Sequence, residues 1–194
     1  HYVAFMDMLR FQLTTRAGFE LLMKVDPSTL TDLERAARFL YLQRAAFGGK
    51  VAGRSFGVDR HGPARFDVTK LGPILEAIHE RLASVVIERL RWNDFMTRWD
   101  RSGMLFYCDP PYYGSEGDYG LDDCGNPLFD RGQFERMATT MGAIRASVLV
   151  SLNDHPEVRS IFAGYELIEV ETTYTLGRTA NGKRVGELLI LKRE

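Results

Sequence analysis

The second half of the chain alternates short apolar segments with segments of helical period, and this alternation limits the fold more than any other feature of the sequence. Residues 104–108 and 147–152 are apolar runs of strand length, and residues 133–144 between them repeat apolar positions at helical spacing. Strands that alternate with helices of this length predict βαβ units around a parallel sheet. Residues 83–88, which are short and β-branched, predict a further strand, and residues 93–100 predict a helix.

The end of the chain has a different pattern. Residues 165–176 and 185–191 are longer strand candidates separated by a turn rich in Gly, Asn and Lys, which predicts an antiparallel hairpin that closes the sheet. Residues 153–162 combine a cap with an early proline and predict a short helix, with His155 as a capping or surface residue. The sequence therefore predicts an α/β fold.

The first half of the chain is predicted to be helical. Residues 3–23 give a helix interrupted at 14–18, Thr31 and Glu34 form a capping-box pattern before a helix over 33–47, and residues 71–82 give another helix. Residues 48–63 contain five glycines and show neither period, which predicts a mobile loop inserted in the domain.

The charge is unevenly distributed although the net charge is only −1. Residues 38–65 contain six basic residues and one acid, which favours contacts between this loop and the phosphates of a nucleic acid. Residues 109–130 contain six acids and no Lys or Arg, so a divalent metal site there is an alternative to a solvated loop. No EF-hand spacing is present in that stretch, and we expect a solvated loop with no metal.

Apolar runs and cysteines indicate the compartment. No apolar run approaches the roughly 18 residues that span a bilayer. The two cysteines, Cys108 and Cys124, are too few for a disulfide framework and lack metal spacing, so a reducing cytoplasm is expected. Cys108 ends an apolar strand and is predicted to be a buried small side chain rather than a catalytic thiol.

The loop after residues 104–108 contains the candidate catalytic residues. In open α/β sheets, ligands bind outside the carboxyl ends of the strands, and this loop reads Asp109-Pro110-Pro111-Tyr112-Tyr113. Two prolines fix two φ angles and aim the neighbouring carbonyls rigidly. A flat group that donates two hydrogen bonds fits this loop: one N–H would go to the Asp109 carboxylate and one to a proline carbonyl, with Tyr112 stacked on its face.

At these residues the chain resembles the N6-adenine DNA methyltransferases of the DNA adenine methylase type, whose catalytic motif is Asp-Pro-Pro-Tyr. Phage and prophage members look most similar. The match extends over essentially the whole chain and includes these further segments: Phe39-x-Tyr41-Leu42-x-Arg44-x-x-Phe47-x-Gly49, Leu105-Phe106-Tyr107-Cys108, Ser151-Leu152-Asn153 and Glu187-Leu188-Leu189-Ile190.

The resemblance implies direct methyl transfer from S-adenosylmethionine to the N6 atom of an adenine flipped out of duplex DNA. It implies three sets of residues, which are catalytic Asp109, Pro110 and Tyr112; cofactor-binding Asp94, Phe95 and Asp109; and DNA-binding Arg44, Lys50, Arg54, Arg60 and Tyr113. Double-stranded DNA is the implied partner, in a bacterial or phage-infected cell, with no membrane and no obligate protein partner.

The resemblance also implies an S-adenosylmethionine-dependent, Rossmann-like sheet with a mostly helical target-recognition insertion. Three regions are expected: a helical segment of the catalytic domain over 1–30, the target-recognition region over 31–82, and the catalytic domain over 83–194. The family's glycine-rich cofactor motif and the acid after its second strand are not found in the sequence. We therefore expect these N-terminal strands upstream of His1, and weak cofactor binding by the 194 residues alone.

Two other function classes remain open at this point. One is a catalytically silent DNA-binding remnant, which would bind duplex DNA in a salt-dependent way and transfer nothing. The other is a metal-dependent nuclease or phosphatase that uses the acidic loop. Methyltransferases acting on cytosine N4 or on protein glutamine carry a similar loop, but usually with Ser or Asn at the position of Asp109, so adenine ranks first.

Overall fold

The structure is a computed structural model that describes residues 1–51, 53–59, 61–120, 125–174 and 183–194. It divides into two compact units, His1–Ile87 and Glu88–Glu194, and each is treated separately below. No helix in the described ranges is long and apolar enough to cross a membrane.

The first unit is helical, as the sequence predicts. Its helices are α1 (Tyr2–Leu9), α2 (Arg16–Lys24), α3 (Asp32–Ala45) and α4 (Val68–Leu82). An interruption separates α1 from α2, but it covers residues 10–15 rather than the predicted 14–18, because α2 already begins at Arg16. The capping box before α3 is confirmed, since the Thr31 hydroxyl accepts from the Glu34 N–H while the Glu34 carboxylate accepts from the Thr31 N–H. This pairing satisfies two N–H groups at the start of α3 that have no partner within the helix.

Tyr41 holds the break between α1 and α2 in place. Its ring is buried on α3 and packs edge-on against Phe66, with the ring centroids 5.1 Å apart. Its hydroxyl oxygen lies 3.1 Å from the Leu13 carbonyl oxygen and accepts from the Thr15 N–H at 3.2 Å. A buried phenol therefore serves backbone groups that the two helices leave unpaired at their junction.

The glycine-rich segment is a loop closed at its base. Ala46 and Phe56 form an antiparallel bridge, and the Phe47 N–H donates to the Ser55 carbonyl at 2.8 Å. The two segments at the base of the loop approach so closely that a Cβ atom at Gly57 would lie 2.9 Å from the Phe47 nitrogen, which requires glycine there. The Phe56 ring packs edge-on against Phe19, so this aromatic residue anchors the loop to the helical core.

The strand predicted over residues 83–88 is wrong. Residues 83–84 form a turn and 85–88 have no regular structure. Val86 and Ile87 are 80% and 76% exposed, so these β-branched side chains have no packed surface around them. Strand propensity reflects packing on a pleated, half-buried surface, and the run lacks both a described neighbouring strand and that surface.

The second unit contains the elements predicted from the alternating pattern. They are α5 (Trp92–Trp99), β1 (Leu105–Cys108), α6 (Gly132–Ala143), β2 (Ser147–Asn153), α7 (Pro156–Ile161), β3 (Glu166–Tyr174) and β4 (Lys183–Lys192). His155 caps α7 because its Nδ1 accepts from the Glu157 N–H at 3.1 Å, which confirms the predicted capping role.

The four described strands form one mixed sheet with the order β1-β2-β4-β3. β1 and β2 are parallel and are joined through α6, which is the predicted βαβ unit. The antiparallel pairing predicted for the hairpin is present between β3 and β4, while most of the predicted turn lies outside the described residues; β4 also pairs antiparallel with β2. The parallel part of the sheet is thus a single strand pair within the described ranges, and the architecture is a mixed α/β fold that is compatible with a methyltransferase.

Three alternate apolar residues of β2 build the core of this unit. Val148, Val150 and Leu152 are fully buried, and α6 covers them with Phe134 and Met141, which are also fully buried. The intervening residues of β2 point to the opposite face of the sheet. This division leaves the polar residues near the end of β2 available to the loop that follows β1.

Lys192 fastens the junction between α6 and β2. Its ammonium group donates to the carbonyls of Ile144, Arg145 and Ala146 at 2.8, 3.0 and 2.9 Å. One cation therefore serves three carbonyl groups that directly precede β2, an arrangement that favours a positive charge.

We predict that Lys192→Met lowers the free energy of unfolding of this unit by about 1–3 kcal/mol, because carbonyl groups lose a charged donor. Arg193→Met is the matched control, since it removes an exposed ion pair with Glu166 worth under about 1 kcal/mol. Urea unfolding followed by tryptophan fluorescence measures the effect, because both tryptophans, Trp92 and Trp99, lie in this unit. Equal losses for the two variants would contradict the assignment.

Candidate active site

The loop that follows β1 is fastened to the end of β2. The Ser151 hydroxyl donates to Asp109 Oδ1 at 3.1 Å. Two residues further along the same face, the Asn153 side chain accepts from the Tyr113 N–H at 2.8 Å and donates to the Tyr113 carbonyl at 3.1 Å. Both ends of the Asp-Pro-Pro-Tyr-Tyr segment are therefore held by alternate side chains of one strand.

A third contact comes from β4. Glu187 is the register partner of Asn153 on that strand, and its carboxylate accepts a hydrogen bond from the Tyr112 hydroxyl. The Tyr112 ring is half-buried, whereas the preceding Pro110 is buried and Asp109 is exposed. The loop thus exposes the Asp109 carboxylate to solvent, while Tyr112 is held in place through the hydroxyl at the end of its ring.

Tyr113 has several ring contacts within the protein. Its ring stacks on His155 with centroids 4.6 Å apart and lies 5.4 Å from the ring of Phe134. The Arg131 guanidinium lies 5.0 Å from the centre of the same ring. The structure therefore places this residue, expected to contact DNA, in a packed cluster, and its DNA contact stays a prediction.

A cavity of about 410 Å³ opens beside the loop. Among the described residues it is lined by Glu88, Leu90, Trp92, Phe95, Met96, Phe106, Tyr107, Cys108, Asp109, Pro110, Phe129 and Met137. Asp109 and Glu88 bring two carboxylates to walls that are otherwise largely apolar and aromatic. A site of this volume and composition suits a ligand with a flat apolar part and positive charge.

Two of the three expected cofactor residues meet at this cavity. Phe95 and Asp109 both line it, and the Phe95 ring packs edge-on against Phe106 at 6.1 Å. Asp94 is exposed in the first turn of α5 and accepts from the Asn93 side chain at 3.2 Å, and it is not among the described residues that line the cavity. Its cofactor contact stays a prediction.

A second depression, of about 430 Å³, lies between α5 and α6. The described residues around it are Trp92, Asn93, Gly132, Glu135, Arg136, Thr139 and Thr140. None of these belongs to the Asp-Pro-Pro-Tyr loop or to the strand ends that hold it. The chemistry therefore assigns the candidate site to the cavity beside the loop.

The basic loop residues differ in exposure. Arg44 and Lys50 are exposed, although Arg44 Nε donates to the Arg65 carbonyl at 3.2 Å. Arg54 is half-buried and folds back onto the protein, where it donates to the Gln43 side chain at 3.2 Å and lies 5.8 Å from the ring centre of Phe39. Burial, reinforced by the nearby Arg38, lowers the pKa of Arg54 from its ordinary value. Arg60 lies outside the described residues.

The acidic segment after the motif is described only in part. Glu116 accepts from the Gly114 N–H at 3.0 Å and pairs with Arg131 at 3.7 Å. Asp122 and Asp123 lie outside the described residues, and in the described part of the chain no group of three His, Cys, Asp or Glu side chains could hold a metal ion.

The sequence did not identify three residues that hold the Asp-Pro-Pro-Tyr loop. Ser151, Asn153 and Glu187 appeared there only as parts of resembling segments, without a role. A usable signal was present, because Ser151 and Asn153 are polar residues at alternate positions near the carboxyl end of an otherwise apolar strand. The partner of each side chain could not be derived from that pattern.

The fold and site together define a class, an α/β domain with a ligand cavity and an acidic, proline-stiffened loop at the carboxyl end of a parallel strand. Residues 12–176 match the family described as D12 class N6 adenine-specific DNA methyltransferase. The chain therefore belongs to this family of DNA methyltransferases, and adenine is the base that the family modifies. No curated protein matched the chain.

Partial burial lowers the reactivity of the Cys108 thiol. This side chain packs against the core of the second unit, and desolvation raises the pKa of the thiol to about 11. Because the thiolate is the nucleophilic form of cysteine, the raised pKa keeps the residue neutral and slow to react at ordinary pH. This agrees with its predicted role as a small apolar side chain.

We predict that Cys108, in a Cys124→Ser background where it is the only thiol, reacts with a disulfide reagent about a hundredfold more slowly in the folded than in the unfolded chain at pH 8. The raised pKa also adds stability that is complete below the ordinary value of 9.0 and is lost as the pH rises towards about 11. Absorbance of the released reagent, with and without urea, measures the rates. Equal rates would contradict the burial argument.

Proposed function

We propose that this protein is a site-specific DNA methyltransferase that transfers a methyl group from S-adenosylmethionine to N6 of an adenine turned out of the duplex. The observation that carries the proposal is the position of Asp109. Its carboxylate stands at the cavity wall, at the start of a proline-stiffened loop that two neighbouring strands hold in place. The family assignment supports the same reaction.

Asp109 and Pro110 would act on the adenine amino group. The N6 lone pair is delocalised into the ring and is a poor nucleophile. Two acceptors that hold its hydrogens, the Asp109 carboxylate and the Pro110 carbonyl, favour a pyramidal nitrogen and stabilise the positive charge that develops on it. The exposed carboxylate of Asp109 is accessible to such a group.

Tyr112 would stack on the extruded base. Its hydroxyl is bound by Glu187 on β4, so the ring is held at its distal end and its orientation is restricted. Stacking of an aromatic side chain on a base is worth about 1–3 kcal/mol and does not depend on a free hydroxyl. The role of Glu187 is then to limit the rotation of that ring.

The cavity residues fit S-adenosylmethionine. Phe95 and Trp92 offer aromatic surface for an adenine ring, while Asp109 and Glu88 offer negative charge for a ligand with a sulfonium and an ammonium group. Glu88 also pairs with Arg98 at 3.8 Å, so Asp109 is the more available of the two carboxylates. When bound, this cofactor supplies the electrophilic methyl group. Asp94 is proposed to contribute from the start of α5.

The exposed cations of the first unit would contact DNA phosphates. Arg44 and Lys50 are accessible for this, and the closed base of the loop restricts where Lys50 can lie. Arg54 would act within the loop by holding Gln43 and Phe39, and Arg60 and Tyr113 are proposed as further contacts. Residues 31–82 are accordingly proposed as the target-recognition region, and residues 1–30 and 83–194 as parts of the catalytic domain.

We predict that Asp109→Ala in the full-length protein lowers the single-turnover rate of N6 methylation about a hundredfold to a thousandfold, because a preorganised acceptor is lost. Duplex affinity should stay unchanged, since the carboxylate contacts the base and no phosphate. Asp32→Ala, which removes an exposed carboxylate on α3, is the control. Transfer of labelled methyl groups from S-adenosylmethionine measures the rate.

Three outcomes separate the function classes. Methylation that depends on Asp109 and needs no divalent cation supports the proposal. Salt-dependent duplex binding without transfer by the wild-type protein would identify a silent DNA-binding relative. Cation-dependent cleavage of the duplex would identify a nuclease.

We predict that Lys50→Gln and Arg44→Gln each reduce the slope of log K against log salt for duplex binding by about one, since each removes one phosphate contact. Arg193→Gln is the control, because this exposed cation lies in the second unit, outside residues 31–82, and pairs with Glu166 at 3.1 Å. Fluorescence anisotropy with a labelled duplex over a range of salt concentrations gives the slopes. Unchanged slopes for both variants would show that neither Arg44 at the end of α3 nor Lys50 in the loop touches the phosphate backbone.

A further inference from the structure

A short chain of hydroxyl groups leads to the Asp109 carboxylate. The Tyr107 hydroxyl on β1 lies 3.0 Å from Ser151 Oγ on β2, and Ser151 Oγ lies 3.1 Å from Asp109 Oδ1. Tyr107 is 62% exposed, whereas Ser151 is only 8% exposed and is the one polar side chain among the described residues that is classed with the core. A buried hydroxyl in an apolar strand is retained at a cost unless it is hydrogen-bonded.

The direction of the hydrogen bonds follows from the inventory of protons. An ionised carboxylate only accepts, so the single hydroxyl proton of Ser151 goes to Asp109 Oδ1. Ser151 Oγ then has only acceptor capacity left, and the Tyr107 hydroxyl must donate to it. The two hydroxyls therefore form a directed relay of donors that ends on one oxygen of the carboxylate.

We infer that Ser151 and Tyr107 are positioning residues that fix the Asp109 carboxylate for the reacting base. The relay restricts rotation of the carboxylate by holding Oδ1 and leaves Oδ2 free to accept an N–H of the adenine amino group. This inference rests on the proposed function for its target, although the relay itself belongs to the described structure. Neither residue needs to touch the base. Tyr107 also lines the cavity proposed for the cofactor, whereas Ser151 is not among its described lining residues, so the test rests on Ser151.

The strand register explains why these residues can cooperate. Tyr107 pairs with Leu149 across β1 and β2, and Ser151 lies two residues further along β2 on the same face. The Tyr107 side chain spans that offset, and Asp109 comes two residues after Tyr107. The spacing of two on both parallel strands brings the three groups to one side of the sheet.

Replacing Ser151 tests the inference in the protein in its full natural length. We expect Ser151→Ala to lower the single-turnover methylation rate about 10- to 100-fold, a loss typical of a misplaced reacting group, with the dissociation constant for duplex DNA unchanged. Ser151→Thr keeps the hydroxyl and should stay within about threefold of the wild type, and Tyr107→Phe should lose about three- to tenfold. Ser147→Ala is the matched control on the same face of β2, distant from the loop in register.

A double-mutant cycle separates positioning from a structural role. In an Asp109→Asn background, adding Ser151→Ala should cost less than about twofold, because a residue that acts through Asp109 has nothing further to lose. A multiplicative loss in that background, or a full rate for Ser151→Ala alone, would overturn the inference.

A second measurement does not depend on activity. In the 194-residue chain, the three-bond couplings between Hα and the two Hβ protons of Asp109 should be unequal, as expected for one side-chain rotamer. Ser151→Ala should make them nearly equal through rotamer averaging, whereas Ser147→Ala should leave them unchanged. If the couplings change in this way but the wild-type protein methylates no adenine, the proposed function fails and the positioning of Asp109 by Ser151 stands. Nearly equal couplings in the wild type would overturn the positioning.

Discussion

The alternation of β2 is the constraint on which the second unit depends. Its Val148, Val150 and Leu152 must face α6 to be removed from water, and the pleat then sends Ser151 and Asn153 to the other face. A shift of register by one residue would turn both polar side chains towards α6 and the apolar ones away from it. The register of β2 thus determines both the hydrophobic core and the side chains that support the motif loop.

This arrangement gives the loop rigidity without burying its carboxylate. Two prolines limit the backbone, Asn153 holds it at Tyr113, and β4 contributes Glu187 to the neighbouring Tyr112. Asp109 stays exposed while one of its oxygens is engaged by Ser151. Preorganisation of an acceptor in this way is what methyl transfer to a weakly nucleophilic amino group requires, because the developing charge then meets a group that need not reorient.

Sequence reasoning performed well for elements whose pattern is local. The capping box at Thr31, the helix between β1 and β2 and the C-terminal hairpin are confirmed, since each depends on neighbours within a few residues or on one apolar period. The strand expected at residues 83–88 is wrong because β-branched residues form a strand only when a partner strand and a packing surface are present. Phe56 likewise has a core contact with Phe19 that its position in a basic loop did not indicate.

By itself, the sequence determined the alternation of helices and strands, the Asp-Pro-Pro-Tyr loop and the resemblance to adenine methyltransferases that the family match confirms. Only the tertiary structure decided that β4 lies between β2 and β3, that Phe95 and Asp109 share a cavity, and which side chains hold the loop. The physical reason is the separation along the chain of the residues that interact. Periodicity and capping are encoded within one turn or one pleat, whereas strand order and the meeting of Asp109 with Ser151 depend on contacts between residues that are 42 positions apart.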